Sequence, residues 1–218
     1  TWRNTIGALR VVTDYAIAGG VHAWKLDEGA LVSYEYLEPR GDKTAVQSFL
    51  RGRELLIAGR EGEAKEALSQ AIDKFERHAL AYERRGHINL RLGNLPDALY
   101  DFNKSISINP NSPEALFGRA MVYVQQKNYQ AAAADFEQVA KNSIPHQSIF
   151  WKARRIKAEC HLELEEFSKA EFELKLVTKR QFDKTESNYQ WQRRAWYNYG
   201  RALLALNRTK DAVDALQK

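Results

Sequence analysis

The sequence predicts an all-α protein in which one helix-turn-helix unit is repeated along the chain. Three observations lead to this prediction. Small side chains recur every 34 residues, large apolar side chains recur in step with them, and turn and cap residues separate the apolar runs. A two-helix unit cannot bury its apolar face alone, so the pattern also predicts that successive units stack against one another.

The stretch 79–112 is the best-formed copy. Its first helix carries Tyr82 and Gly86 at helical spacing, and Gly93 then interrupts the pattern. The second helix is predicted to begin near Pro96, because proline suits a first helical turn, and to end before Pro110. The run Ser112-Pro113-Glu114 then provides a cap, a first-turn proline and an acid for the next helix.

The same pattern defines five repeats, which we number 1 to 5. The phase slips by four residues after Pro145 and by eight more before Gly200, so we expect elongated helices at the inserts 147–150 and 185–192. Ser168 and Glu171 have capping-box spacing and predict the start of the second helix of repeat 4. The repeats are 45–78, 79–112, 113–146, 151–184 and an incomplete 193–218.

This pattern resembles the tetratricopeptide repeat (TPR) over about residues 45–218. The resemblance implies a right-handed α-solenoid of about five TPR units, held by close packing of small residues. It also implies a non-catalytic scaffold that binds a peptide in a concave groove lined by the first helices. The matching residues are Tyr82, Gly86, Ala98, Phe102 and Pro110 in repeat 2, and Leu116, Ala120, Tyr123, Ala132 and Phe136 in repeat 3.

Residues 1–44 form a separate segment that we expect to cap or attach the array. Ala30, Val32, Tyr34 and Tyr36 occupy alternate positions, and the stretches on either side of Asp27-Glu28-Gly29 are suited to strands, which favours a β-hairpin with a three-residue loop. A degenerate repeat stays open as the alternative, because Ala30 lies 34 residues before Ala64.

No residues with catalytic, cofactor-binding or metal-binding spacing stand out. The five histidines do not pair with one another or with Cys160 at metal-ligand spacing, and phosphate-binding or nucleophile-elbow glycine motifs do not occur. We therefore expect no enzyme activity, no cofactor and no metal.

The net charge of +5 lies in the C-terminal third, where residues 147–218 hold 15 Lys and Arg against 10 Asp and Glu. This surplus favours an acidic partner. It is modest for a nucleic-acid-binding protein, and no nucleic-acid recognition motif occurs. No apolar run approaches the roughly 18 residues of a membrane span. A single cysteine favours a cytoplasmic location, with a periplasmic or membrane-tethered protein that has lost a targeting segment as the alternative.

The resemblance places the groove at positions 2, 5, 9 and 12 of each first helix. The expected partner is a protein or peptide that carries acids and an apolar anchor. Self-assembly into a homo-oligomer through the C-terminal end is the alternative function. The predicted groove residues are Arg53, Arg84 (one place aside), His87, Phe117, Met121, Lys152, Arg155, Arg194, Tyr197 and Arg201.

Overall fold

A computed structural model describes residues 21–27, 30–36, 43–180 and 191–218, with side chains described over 44–180 and 191–218. Within these ranges the protein is built from ten helices and one two-stranded sheet. The chain divides into two compact units, Thr1–Pro110 and Asn111–Lys218, which we call the N-terminal and C-terminal units.

The N-terminal unit contains a strand pair and two helix pairs. Strands β1 (Val21–Asp27) and β2 (Ala30–Tyr36) are antiparallel, with residue 21 opposite residue 36. The segment that the sequence reads as a hairpin lies on these strands, and its side chains are outside the described residues. The helices of this unit are α1 (Lys43–Ile57), α2 (Glu61–Lys74), α3 (Ala79–Arg91) and α4 (Leu95–Ile108).

The C-terminal unit contains three helix pairs, one for each of repeats 3, 4 and 5. Each second helix contacts the first helix of its own repeat, and those of repeats 3 and 4 also contact the first helix of the next repeat. The first helix of repeat 4 also contacts the first helices of repeats 3 and 5. The helices are α5 (Pro113–Gln125), α6 (Tyr129–Asn142), α7 (Ser148–Glu163), α8 (Phe167–Lys179), α9 (Gln192–Ala205) and α10 (Thr209–Leu216).

The turn inside each repeat is made by one residue in the left-handed region. In all five repeats this residue has φ between 57° and 77°, and the second helix begins two residues after it. Glycine takes this conformation without steric cost, whereas a residue with a Cβ does not. The residues are Gly59, Gly93, Lys127, Glu165 and Asn207.

The predicted cap at Ser112 is confirmed, because its Oγ accepts a hydrogen bond from the Ala115 amide at 3.2 Å. The capping box at Ser168 is wrong. Since the turn at Glu165 fixes the start of α8 at Phe167, Ser168 already lies inside the helix and is exposed.

The first insert lengthens a helix, as predicted. Helix α7 begins at Ser148 and has 16 residues, whereas α3 and α5 have 13 each. Most of the second insert, 185–192, lies outside the described residues, so its predicted elongation stays a prediction.

The two helices of a repeat approach closely at one small residue. In repeats 1, 2 and 5 a glycine on the first helix packs against a large residue 16 places later on the second, and repeats 3 and 4 have an alanine and a large residue at the same spacing. A Cβ added at Gly86 would lie 3.0 Å from Phe102 Cε1, and one added at Gly52 would lie 2.9 Å from Leu68 Cγ. We call this contact the seam; its pairs are Gly52/Leu68, Gly86/Phe102, Ala120/Phe136, Ala158/Leu174 and Gly200/Leu216.

An ion pair lies one residue before the seam in the three middle repeats. Arg85 Nη2 is 2.7 Å from Asp101 Oδ1 in repeat 2, and Arg119 Nε is 2.7 Å from Asp135 Oδ2 in repeat 3. In repeat 4 the equivalent cation is Lys157, whose Nζ is 2.6 Å from Glu173 Oε1. All three carboxylates are buried, and a buried carboxylate without its cation would destabilise the fold.

His78 lies buried between repeats 1 and 2, inside the core of the N-terminal unit. The residue is 0% exposed, and its ring centroid lies 4.7 Å from that of Phe49 and 6.3 Å from that of Phe75. Neither ring nitrogen has a hydrogen-bond partner within the described part of the chain. Burial lowers the pKa of His78 to about 4, since the charged imidazolium would lose its hydration there.

The seam predicts that a large side chain at Gly86 will destabilise the protein. We expect Gly86→Leu to lower the free energy of unfolding by about 1–3 kcal/mol, because the new side chain must displace Phe102. The matched control is Gly62→Leu on α2, where an added Cβ meets no atom of the described residues within 4 Å. Urea denaturation of both variants measures the difference in their free energies of unfolding. Equal denaturation midpoints would contradict the close packing proposed at Gly86.

Burial of His78 predicts a loss of stability in mild acid. The folded pKa of about 4 lies below the ordinary 6.5, so the unfolded chain binds this proton more readily. The free energy of unfolding should therefore fall as the pH drops from about 6.5 to about 4, by up to about 3 kcal/mol from this residue. His78→Leu should flatten that slope in chemical denaturation, whereas His146→Leu, at an exposed position, should leave it unchanged. If the free energy of unfolding of His78→Leu depended on pH as it does in the parent, His78 would not be the source of the acid sensitivity.

Candidate functional site

The predicted groove residues of the C-terminal unit lie on the three first helices that contact one another. We call the side chains of Phe117, Met121, Lys152, Arg155, Arg194, Tyr197 and Arg201 on α5, α7 and α9 the first-helix face. Tyr197 is 57% exposed, Arg201 is exposed, and Met121 is half-buried. Phe117 is half-buried, with its ring edge-on to Phe136 at a centroid distance of 5.3 Å, so it also packs against the large residue of the seam in repeat 3.

Three of the predicted cations gather around one indole ring and one carboxylate. The Arg155 guanidinium lies 4.8 Å from the Trp191 ring centroid, and Lys152 Nζ lies 5.9 Å from it. Arg155 Nη1 donates to Glu159 Oε1 at 2.6 Å, and Arg194 Nε lies 3.0 Å from the same oxygen. These contacts join α7 to the start of α9 in a cluster that we call the α7–α9 cation cluster.

The α7–α9 cation cluster has three positive charges and one negative charge. Asn198 completes it by donating from Nδ2 to Glu159 Oε1 at 3.1 Å. The Arg155 side chain is only 12% exposed, whereas that of Arg194 is 66% exposed. Burial lowers the pKa of Arg155, and Glu159 raises it in part. The Arg155 Nε is buried and has no hydrogen-bond partner among the described residues.

The predicted residues of the N-terminal unit are arranged differently. Arg53 is half-buried, and the Arg84 Nε lies 3.7 Å from a carboxylate oxygen of the buried Glu83. The His87 ring lies edge-on to Phe102 at 5.0 Å. Burial, reinforced by Arg84 and Arg91, lowers the pKa of His87 to about 4, so this ring is neutral at pH 7.

Three members of the α7–α9 cation cluster were not among the predicted site residues: Glu159, Asn198 and Trp191. Glu159 occupies position 9 of repeat 4, and its register places it with Lys152 and Arg155, so the repeat pattern contained the signal. Asn198 is at position 6 of repeat 5 and Trp191 precedes that repeat, so the register does not identify them.

The described residues offer no candidate for nucleophilic or metal chemistry. Burial raises the pKa of Cys160 to about 12, so its thiol is protonated at neutral pH. No group of three or more His, Cys, Asp or Glu side chains in this part of the chain could hold a metal ion. Among the described helices, none combines the length and the apolar content needed to cross a membrane.

Family sequence models described as "Tetratricopeptide repeat" match residues 49–113 and 194–218. A third model, described as "Anaphase-promoting complex, cyclosome, subunit 3", matches residues 91–176. Together these matches span most of the helical part of the chain.

Two curated relatives align with different extents of the chain. A "Protein SGT1 homolog" of Bos taurus is 35% identical over 92 residues, which are 42% of this chain and 27% of the relative. "DnaJ homolog subfamily C member 3" of Gallus gallus is 24% identical over 200 residues, which are 84% of this chain and 38% of the relative. The chain therefore spans well under half the length of either relative.

Solved structures of similar fold include a fragment of MamA from Desulfovibrio magneticus RS-1. It has a TM-score of 0.68 at 16% identity and covers 81% of this chain and 93% of that chain. YrrB is described as "a TPR protein with an unusual peptide-binding site". It has a TM-score of 0.67 at 15% identity, and the match covers 79% of this chain and 83% of that chain. At these identities the likeness shows the fold, an α-solenoid of helix pairs. The repeat spacing, the helix pairs and the family matches together show that the chain belongs to the tetratricopeptide repeat family.

Proposed function

We propose that this chain is a non-catalytic scaffold that binds an acidic peptide segment of a partner protein on its first-helix face. Membership of the tetratricopeptide repeat family supports the general role of protein interaction. The acidic character of the partner and the residues that hold it are our own inference from the side chains of α5, α7 and α9.

The observation that carries the proposal is the charge imbalance of the α7–α9 cation cluster. Arg155 and Arg194 both contact one carboxylate, Glu159, and Lys152 lies with Arg155 at the Trp191 ring without an ion pair to Glu159. A second carboxylate, brought by a ligand, would find accessible donors on the exposed Arg194 side chain and on the half-buried Lys152. The half-buried position strengthens such contacts, since water screens them less than on an open surface.

Apolar residues beside the cations provide a place for an anchoring side chain. Tyr197 is 57% exposed one turn after Arg194, and Met121 and Phe117 line α5. Aromatic and methionine side chains are the usual hot spots of protein interfaces, since they bury much area at low cost in conformational entropy. The description of YrrB, a structure of the same fold, as having a peptide-binding site supports this kind of ligand.

The cation cluster predicts that binding depends on carboxylates. The probe is a pair of synthetic peptides, one with several glutamates around a single leucine and the other with glutamines in their place. We expect isothermal titration to show tighter binding of the glutamate peptide, and Arg155→Glu and Arg194→Glu each to weaken it about tenfold or more. Arg193→Glu is the matched control, because it makes the same charge change on an exposed neighbour. The groove assignment fails if Arg194→Glu, at an exposed position that folding tolerates, binds as the parent does.

Removing the charge of Glu159 should change the peptide affinity in the opposite direction. This carboxylate occupies the donors that a ligand would use, so Glu159→Gln should free Arg155 and Arg194 and tighten binding of the glutamate peptide several-fold. The salt dependence of the affinity should steepen, because one more net positive charge faces the ligand. A weaker affinity in Glu159→Gln would instead mean that Glu159 positions the arginines for the ligand.

A further inference from the structure

A second exposed surface lies on the outer helices of the C-terminal unit, on α8. Its outward residues recur every three or four positions and combine three lysines with two large apolar side chains. Phe172 is 58% exposed and Leu176 is 36% exposed, and the Lys169 side chain is 63% exposed. We call Lys169, Phe172, Lys175, Leu176 and Lys179 the outer face of α8.

The other repeats show that the fold does not require these side chains. At the positions equivalent to Phe172 and Leu176, no other repeat has large apolar side chains at both. At the positions equivalent to the three lysines, no other repeat has more than one lysine. The helix pairs form without them, so the outer face of α8 is specific to repeat 4. The residues equivalent to Phe172 are Glu66, Tyr100, Ala134 and Asp214, and those equivalent to Leu176 are Gln70, Lys104, Gln138 and Lys218.

The positive charge on this face is only partly neutralised from within the described part of the chain. Lys169 pairs with Glu166, but Lys175 and Lys179 have no ion-pair partner among the described residues. The acids of α8 itself are engaged elsewhere: Glu171 accepts from Arg208 and Glu173 accepts from Arg154. The face is therefore complementary to a negatively charged partner.

A concave space adjoins the apolar part of this face. A cavity of about 390 Å³ opens between α6, α7 and α8, and Phe172 and Lys169 form part of its wall. The adjoining part of the groove is lined by the small side chains of Ala133 and Ala134 on α6. Lys157, Glu137 and Glu173 also line it, and the lysine is already ion-paired with both carboxylates, so these charged groups need no ligand. The space is suited to an apolar side chain inserted beside Phe172.

We propose that the outer face of α8 docks an acidic amphipathic helix of a partner protein. One apolar residue of that helix enters the cavity beside Phe172, and its carboxylates contact Lys169, Lys175 and Lys179. This is the helix-in-groove mode of recognition, with anchors at i, i+3 or i+4 and i+7. The concave cavity favours a protein helix over an anionic membrane, since a planar bilayer does not fill a cavity and two apolar side chains are few for an interfacial helix.

The test is a selection from displayed helical peptides. The library fixes glutamates on the polar face of an 18-residue helix, roughly five turns long, and randomises three apolar positions among Leu, Ile, Val, Met and Phe. The full chain is the bait. Selected peptides are then measured by fluorescence anisotropy against Phe172→Ser, against the double variant Lys175→Glu/Lys179→Glu, and against Lys210→Glu as a control charge reversal on α10.

We expect selected peptides to lose about tenfold or more in affinity for the first two variants and to keep their affinity for Lys210→Glu. Arg194→Glu should also leave the affinity of the selected peptides unchanged. The experiment therefore tests this docking site independently of the proposed peptide binding on the first-helix face. The proposal is overturned if no peptide is selected, or if the selected peptides bind the α8 variants as they bind the parent. It is also overturned if phosphatidylserine vesicles bind the parent chain, lose binding to Phe172→Ser, and the library yields nothing. All variants change exposed positions, so circular dichroism should report an unchanged fold.

Discussion

The close approach of two helices at one small residue sets the geometry of every repeat. At the seam, Gly52, Gly86 and Gly200 leave no room for a Cβ at ordinary contact distance from the second helix. Ala120 and Ala158 occupy the same position in repeats 3 and 4, so the limit is about one methyl group. Because interiors are close-packed, this limit fixes both the distance and the register of the helix pair.

The seam also explains where the buried charges lie. The pairs Arg85–Asp101, Arg119–Asp135 and Lys157–Glu173 sit one residue before the seam pairs, at the same spacing of 16 residues. Helices that come this close bring the preceding side chains together and remove them from water. Buried ion pairs add little net stability, but an unpaired partner costs several kcal/mol. We infer that these pairs act mainly against misregistered packing, since a slip by one residue would leave a buried carboxylate without its cation.

Much of this architecture could be predicted from the sequence because it depends on local residue types. The glycine turns, the Ser112 cap and the 34-residue spacing each follow from the conformational limits of one or two residues. The start of α8 could not be predicted from the nearby residue types alone, because Ser168 and Glu171 have the spacing of a capping box. The left-handed turn at Glu165 instead starts the helix at Phe167, before Ser168.

The candidate site was less predictable, because its electrostatics arise between helices. Position in the repeat identifies Arg155 and Arg194 as neighbours on the first-helix face. It does not reveal that Glu159 bridges them, or that Trp191 lies within 4.8 Å of the Arg155 guanidinium. Likewise, the sequence gives no sign that His87 is packed on Phe102 and held neutral by burial. Both features depend on distances between side chains of different helices, which a linear pattern does not contain.

A repeat protein offers an internal standard for separating structural residues from functional ones. Each position occurs up to five times in the chain, and the seam and turn positions keep their character wherever the fold needs it. Phe172 and Leu176 break that pattern on the outward side of α8, and the cation cluster joins α7 to residues at the start of α9. The helix pair of a repeat does not require an exposed side chain that the other copies lack. It follows that recognition by this chain is to be sought where repeat 4 departs from the others, on the two opposite layers of its helix pair.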